Sequence, residues 1–217
     1  MKITELQSLE ILDSRGNPTI RTFITLADGT KHVSSIPSGA STGSHEAVEL
    51  RDGNSNRYDG LGVLKAVENV NTVISNAIVG METDPNTVDS ELIDLDGTEN
   101  KENLGANAIL SVSLAVCRAS AHASNQPLWK FLNEYYFRGS TPNFPTLMVN
   151  IVNGGKHANW NFDIQEFMIV PNEAKPSESI RIAAEIFHFL GNVLKQKGLS
   201  TLVGEEGGYS PARLASE

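Results

Sequence analysis

Cysteine is nearly missing from this chain. Cys117 is the only one in 217 residues, so no internal disulfide can form, and a reducing setting fits. Cys117 itself lies in an apolar stretch and reads as a small core residue. Long apolar runs are missing as well. The best candidate, residues 106–116, is too short and too rich in Ser and Asn for a membrane span. The opening MKITELQSLE lacks the apolar core of a signal peptide. A cytoplasmic protein with no membrane partner is the expectation. Basic charge is scarce: 17 Lys and Arg stand against 26 Asp and Glu, a net of −9. That balance argues against nucleic acid and against anionic lipid, because both want a basic face. A small anionic substrate stays open, since it needs only a local positive centre or a metal. No repeat and no low-complexity tail is visible.

What is there reads as a globular chain long enough for one large or two small domains. Residues 3–12 alternate loosely, residues 19–26 are rich in β-branched side chains, and Asp28-Gly29 is a hairpin signal before a returning strand at 30–36. Three strands with tight links predict an antiparallel meander. Helices follow. Leu61, Leu64, Val67, Val70, Ile74 and Ile78 fall on one helical face. Asp84-Pro85 starts a second helix that Asp96-Gly97 ends. Residues 106–123 form a central helix whose small side chains let neighbours approach, and Pro127 opens a fourth, to about Phe137. Gly139 to Pro145 is a linker in composition. Beyond it the order changes to strand (147–152), glycine loop, strand (165–170), then a long helix at 176–197 with Ile180, Ala184, Phe187, Leu190 and Leu194 on one side and Ser177 as its cap. Leu202 and Val203 read as a strand that runs into Gly204-Glu205-Glu206-Gly207-Gly208, a loop with two carboxylates and three glycines and a second candidate site. Strands separated by helices predict an α/β sheet or barrel with functional loops at strand ends.

The polar groups worth explaining cluster in that second half. Asn153-Gly154-Gly155 is a turn signal followed by His157. The run to Pro171 reads as a short buried strand, with Gln165 and Glu166 at its mouth. A carboxylate entering an apolar strand needs a partner, because burying an unpaired charge is costly. The plainer reading is an exposed strand start beside an ordinary loop histidine, and both stand at this stage. Two other motifs fail. PSGASTG (37–43) lacks the lysine and spacing of a phosphate-binding P-loop, and His45-Glu46-Ala47-Val48-Glu49 ends in Glu where a zinc-protease helix needs His.

Taken together, DSRGNPT, PSGASTG with HEA, ELRDG, LDGTENK, LGANAILSVSLA, NGGKHA, DIQEFMIVP and GEEGG run in one order over nearly the whole chain. In these stretches the sequence resembles the enolases. The resemblance implies an α+β N-terminal domain over 1–138, a three-stranded antiparallel meander with helices. It implies the beginning of an α/β, TIM-like barrel over 139–217. It further implies reversible dehydration of 2-phosphoglycerate to phosphoenolpyruvate in glycolysis, with Mg2+ and a homodimer. By resemblance Glu206 is the acid that protonates the leaving hydroxide, helped by Glu166. Ser41 would bind the second magnesium, and His157 and Gln165 would lie near the substrate. An oxygen ligand suits magnesium, and a carboxyl acid needs surroundings that keep it protonated.

In the family the barrel runs on past the position of Glu217. The carboxylates of the first magnesium, the lysine base and further substrate residues belong there. This chain is therefore expected to supply the acid side only and to be inactive alone, with open strand edges and apolar faces in 139–217. GEEGG in place of the family's GDEGG, and Asn159-Trp160-Asn161-Phe162, are local departures. The alternative is a truncated, non-catalytic relative that acts by binding another subunit or partner.

Overall fold

Alternation along the first strands dictates the first sheet. On β2 (Pro18–Leu26), Ile20, Thr22, Ile24 and Leu26 all point inward and are buried, as a period of two requires. β2 pairs antiparallel with β1 (Ile3–Leu12) and with β3 (Lys31–Ser35), in the order β1-β2-β3. The β2–β3 turn closes at Gly29, whose φ of +83° suits a residue without a Cβ. Asp28 Oδ1 accepts the Thr30 N–H at 2.9 Å. These relationships come from a computed structural model that describes residues 1–39 and 43–211, the side chain of His157 excepted.

The chain divides into two compact units, Met1–Ser140 and Thr141–Glu217. In the first, α4 (Ala106–Ala123) lies on the sheet. Its buried Ala108, Val112, Ala115 and Ala119 are small, so helix and strands come close. Polar groups inside this contact satisfy one another. Ser8 and Thr22 share a 2.5 Å bond, Thr22 and Ser111 share one of 2.6 Å, and Ser111 donates to Ala108 O at 2.8 Å. Against the same core pack α1 (Leu64–Asn69), a π-turn (Val70–Ile74) and α2 (Ser75–Ile78). α3 (Pro85–Asp96) is capped by Asp84, which accepts the Thr87 N–H at 2.9 Å, and ends on Gly97. The last helix of the unit is α5 (Leu128–Phe137).

One helical face differs from the expectation. Leu61 and Leu64 are exposed, and the buried stripe runs Val63, Ala66, Val70, Ile74, Ile78. A step of four residues overshoots one α-helical turn, so such a stripe would drift around a regular helix. The π-turn holds more residues per turn and brings the stripe back to the core.

The second unit has β4 (Val149–Asn153) paired antiparallel with β5 (Glu166–Ile169). On the other side of β4, Val152 and Tyr209 form a parallel bridge. α6 (Pro176–Gln196) follows β5. Three expectations are corrected here. β5 was predicted buried, yet Phe167 and Met168 are exposed. Among the described residues β5 pairs only with β4, and the Phe162 ring, 6.2 Å from that of Phe167, covers these side chains only in part. The residue before α6 is Lys175 and no side chain caps it, so Ser177 is not the cap; its buried residues are Ser179, Ala183, Gly191 and Leu194, with Ile180 outside. Leu202 and Val203 are not a strand. Val203 makes one antiparallel bridge to Tyr209, and the Gly204 and Gly208 ends of the turn meet at 2.8 Å. No helix among the described residues is long and apolar enough to cross a membrane.

Candidate active site

The second unit brings two carboxylates together from segments far apart in sequence. Glu166 opens β5 and Glu206 sits in the Gly204–Gly208 turn. Between them lies β4. Asn150 Nδ2 donates to Glu166 Oε2 at 3.2 Å and to Glu206 Oε2 at 3.4 Å. Asn153 Nδ2 donates to the same Glu206 oxygen at 2.9 Å. Asn153 is fully buried, and its Oδ1 accepts the Gly208 N–H at 2.8 Å. That bond fixes which end of the amide faces the carboxylate.

The backbone explains why the turn reaches this place. Tyr209 N donates to Ile151 O at 2.9 Å and Asn153 N donates to Tyr209 O at 2.8 Å, so the segment after the turn is laced to β4. Gly208 presses against the asparagines. A Cβ there would lie 2.6 Å from Asn150 Oδ1, 2.7 Å from Asn153 Oδ1 and 2.8 Å from Val152 N. Only glycine fits so close an approach. Asn150 Oδ1 is buried and has no hydrogen-bond partner among the described residues. An acceptor left so costs about 1–3 kcal/mol unless a water or a ligand donor reaches it.

The other predicted site residues are placed as follows. Gln165 is exposed, and its backbone oxygen accepts the Gly154 N–H at 2.7 Å, which ties the glycine loop to the entry of β5. His157 belongs to the short 3-10 turn Gly155–Ala158 on that loop, with its side chain outside the described residues. Ser41 lies outside them as well. What flanks it is clear: Arg15 Nη2 donates to Ser38 O and Arg51 Nη2 to Ser38 Oγ, each at 2.8 Å, while Glu46 accepts the Gly43 N–H at 2.8 Å. Both ends of the 37–43 loop are thus held by charged side chains.

Asn150 and Asn153 were missed by the sequence reading. The signal was present, since asparagine is disfavoured inside a strand and two of them interrupt an otherwise apolar run. The rule applied to Glu166, that a polar group entering such a run needs a partner, applies to them equally.

Two family models match the chain. The one described as enolase, N-terminal domain, covers residues 3–132, and the one described as enolase, C-terminal TIM barrel domain, covers residues 142–217. The chain belongs to the enolase family. Its three-stranded sheet with helices corresponds to the first domain and β4, β5 and α6 to the start of the barrel. The magnesium that such membership implies can be tested against the donors at hand. Among the described residues no group of three or more His, Cys, Asp or Glu side chains converges to hold a metal. The carboxylate pair faces amide N–H groups, whose positive ends repel a cation. Glu166 and Glu206 by themselves do not form a magnesium site.

Proposed function

We propose that this chain supplies the acid side of an enolase reaction, the reversible dehydration of 2-phosphoglycerate to phosphoenolpyruvate. The observation that carries the reading is the meeting of Glu166 and Glu206 on one asparagine nitrogen. Expelling hydroxide from carbon 3 requires a proton, and a positioned carboxyl group can deliver it. In the forward direction a protonated Glu206 gives its proton to the departing oxygen as the carbon–oxygen bond breaks, releasing water. The Asn150 and Asn153 amide N–H groups stabilise the charge that this leaves on Glu206, and Glu166 shares the Asn150 donor as the helping carboxylate. In the reverse direction the pair takes the proton from the attacking water. Gln165 and His157 belong to the proposal as substrate contacts, and Mg2+ belongs to it through Ser41. Removal of the carbon 2 proton falls to a base other than this pair. A homodimer follows from the same family reading.

In the enzyme that contains this chain, Glu206→Gln should lower the dehydration rate by about 10²–10⁴-fold, the usual worth of a positioned acid. Exchange of the carbon 2 proton with solvent deuterium should continue, because the acid acts only on the leaving hydroxide. Unchanged dehydration would overturn the role. The 217-residue chain alone should show no magnesium-dependent phosphoenolpyruvate formation, and clear turnover would overturn the assignment of the base elsewhere.

A second reading, binding to another subunit, is favoured by one feature: Phe167 and Met168 of β5 and Val170 just after it are 47%, 41% and 51% exposed. Apolar side chains so grouped mark surfaces that other chains cover. Sizing of the chain by light scattering separates a lone monomer from an assembly.

A further inference from the structure

We infer that Asn153, together with Asn150, is the positioning device for the carboxylate pair: an amide cradle, locked from behind by the Gly208 N–H, that sets where Glu206 stands beside Glu166. The inference rests on the acid role just proposed and adds the residues that make it possible.

The argument is one of direction. An asparagine side chain has a donor end and an acceptor end. Asn153 is fully buried, with its acceptor taken by Gly208 N–H at 2.8 Å. Its donor therefore has a single way to face, toward Glu206 Oε2 at 2.9 Å. The same two residues of the turn, Glu206 and Gly208, are thereby gripped at once, the first by its carboxylate and the second by its backbone. The side chain that carries the proton and the turn that carries the side chain are set by one amide. Asn150 repeats the donor at the Glu166 side and makes the link between the two carboxylates. Two amide donors on the Glu206 side chain hold its geometry where an aliphatic strand residue would leave the turn free.

Asn153→Asp is the discriminating change. Aspartate keeps an oxygen for the Gly208 N–H and has the same shape, but it replaces the donor facing Glu206 with a second negative oxygen. Combining it with Glu206→Gln restores a donor–acceptor pair with the polarity reversed. The readout is residue-resolved hydrogen exchange in the full 217-residue chain, at the Gly208 and Asn153 amides. Both should be protected in the unaltered chain. Exchange should quicken about tenfold or more in Asn153→Asp and return to within about threefold of the starting rate in the double variant, since coupled neighbours deviate from additivity. Unprotected amides in the unaltered chain, no change in the single variant, or a double variant as fast as the single would each overturn the cradle.

Activity in the enzyme that contains the chain is measured alongside. Asn153→Asp should lower kcat with little change in KM, because the cradle places the proton donor and not the substrate. If the exchange pattern holds and no 2-phosphoglycerate is turned over by the unaltered enzyme, the enolase reading fails and the cradle stands. If turnover is normal and the exchange coupling is missing, the cradle fails and the enolase reading stands.

Discussion

Phe187 and Tyr209 stack face to face, with ring centroids 4.3 Å apart and planes 9° from parallel. Phe187 comes from α6 and Tyr209 from the segment just after the turn that carries Glu206. The stack therefore fastens the turn to the long helix, while the backbone of Tyr209 fastens it to β4. Gly191 makes room for the tyrosine ring, since a Cβ there would collide with the ring and hydroxyl. Tyr209→Ala should cost about 3–5 kcal/mol of stability, as large-to-small changes at buried aromatic sites do. The expected readout is faster exchange of the Asn153 amide, which donates to Tyr209 O. Tyr209→Phe keeps the stack and should leave that amide protected. Equal exchange in both variants would show that the rings do not hold the turn.

Gly208→Ala tests the closeness of the turn to β4 more directly. The added carbon would meet two asparagine oxygens and the Val152 backbone nitrogen below 3 Å, and a backbone atom cannot swing aside as a side chain can. Overpacking of this kind typically costs 1–3 kcal/mol. Under the acid role proposed for Glu206 the dehydration rate should fall steeply, because displacing the turn carries Glu206 away from Asn150 and Asn153. A variant as active as the parent would mean that the turn is not held where the structure has it.

How much of this was legible beforehand follows from what each signal depends on. The meander and the ends of α3 could be read because alternation, Asp28-Gly29, Asp84-Pro85 and Asp96-Gly97 are local. The inner face of the first helix was misread because the π-turn at Val70–Ile74 changes the period midway, and a fixed period cannot anticipate that. β5 was called buried from its apolar residues alone, whereas burial depends on what lies across the sheet. Glu166 was singled out through the cost of an unpaired carboxylate, and Glu206 through resemblance. Asn153 escaped because its importance lies in the Gly208 contact, 55 residues away in sequence, which no local pattern encodes.

The junction between the two units gives a prediction about cleavage. Residues 138–146 are exposed throughout. Backbone of this kind is where proteases cut first. Trypsin at low dose should cleave after Arg138 before other basic sites in the first unit, leaving a resistant fragment close to Met1–Ser140 in size. The resistance follows from the continuous core shared by the sheet and its helices. Early cuts at Lys65 or Arg118 with residues 138–146 intact would contradict the division.

Acid should loosen the first unit in two steps, through groups that meet between the β2–β3 turn and α4. His122 Nε2 lies 3.1 Å from Asp28 Oδ2, and the rings of His32 and His122 are 4.8 Å apart. The Thr30 hydroxyl and N–H, with His122, hold the Asp28 carboxyl down at about 2. Its contribution is thus complete above the ordinary aspartate value and lost as pH falls from there toward 2. Burial, with the charge of His122, pushes His32 below the ordinary histidine value, and Asp28 offsets this only in part. Folding therefore favours neutral His32. Its contribution is present above the ordinary value of 6.5 and declines as pH drops through the lowered one. Denaturant midpoints of the first unit should fall gently below about pH 6 and again below about pH 4. Asp28→Asn should shrink the second fall without removing it, since Glu10, Asp13, Asp84 and Asp96 are also held low. It should deepen the first, since Asp28 props up His32. His32→Gln should flatten the first. Parallel curves for parent and both variants would remove these groups as the source.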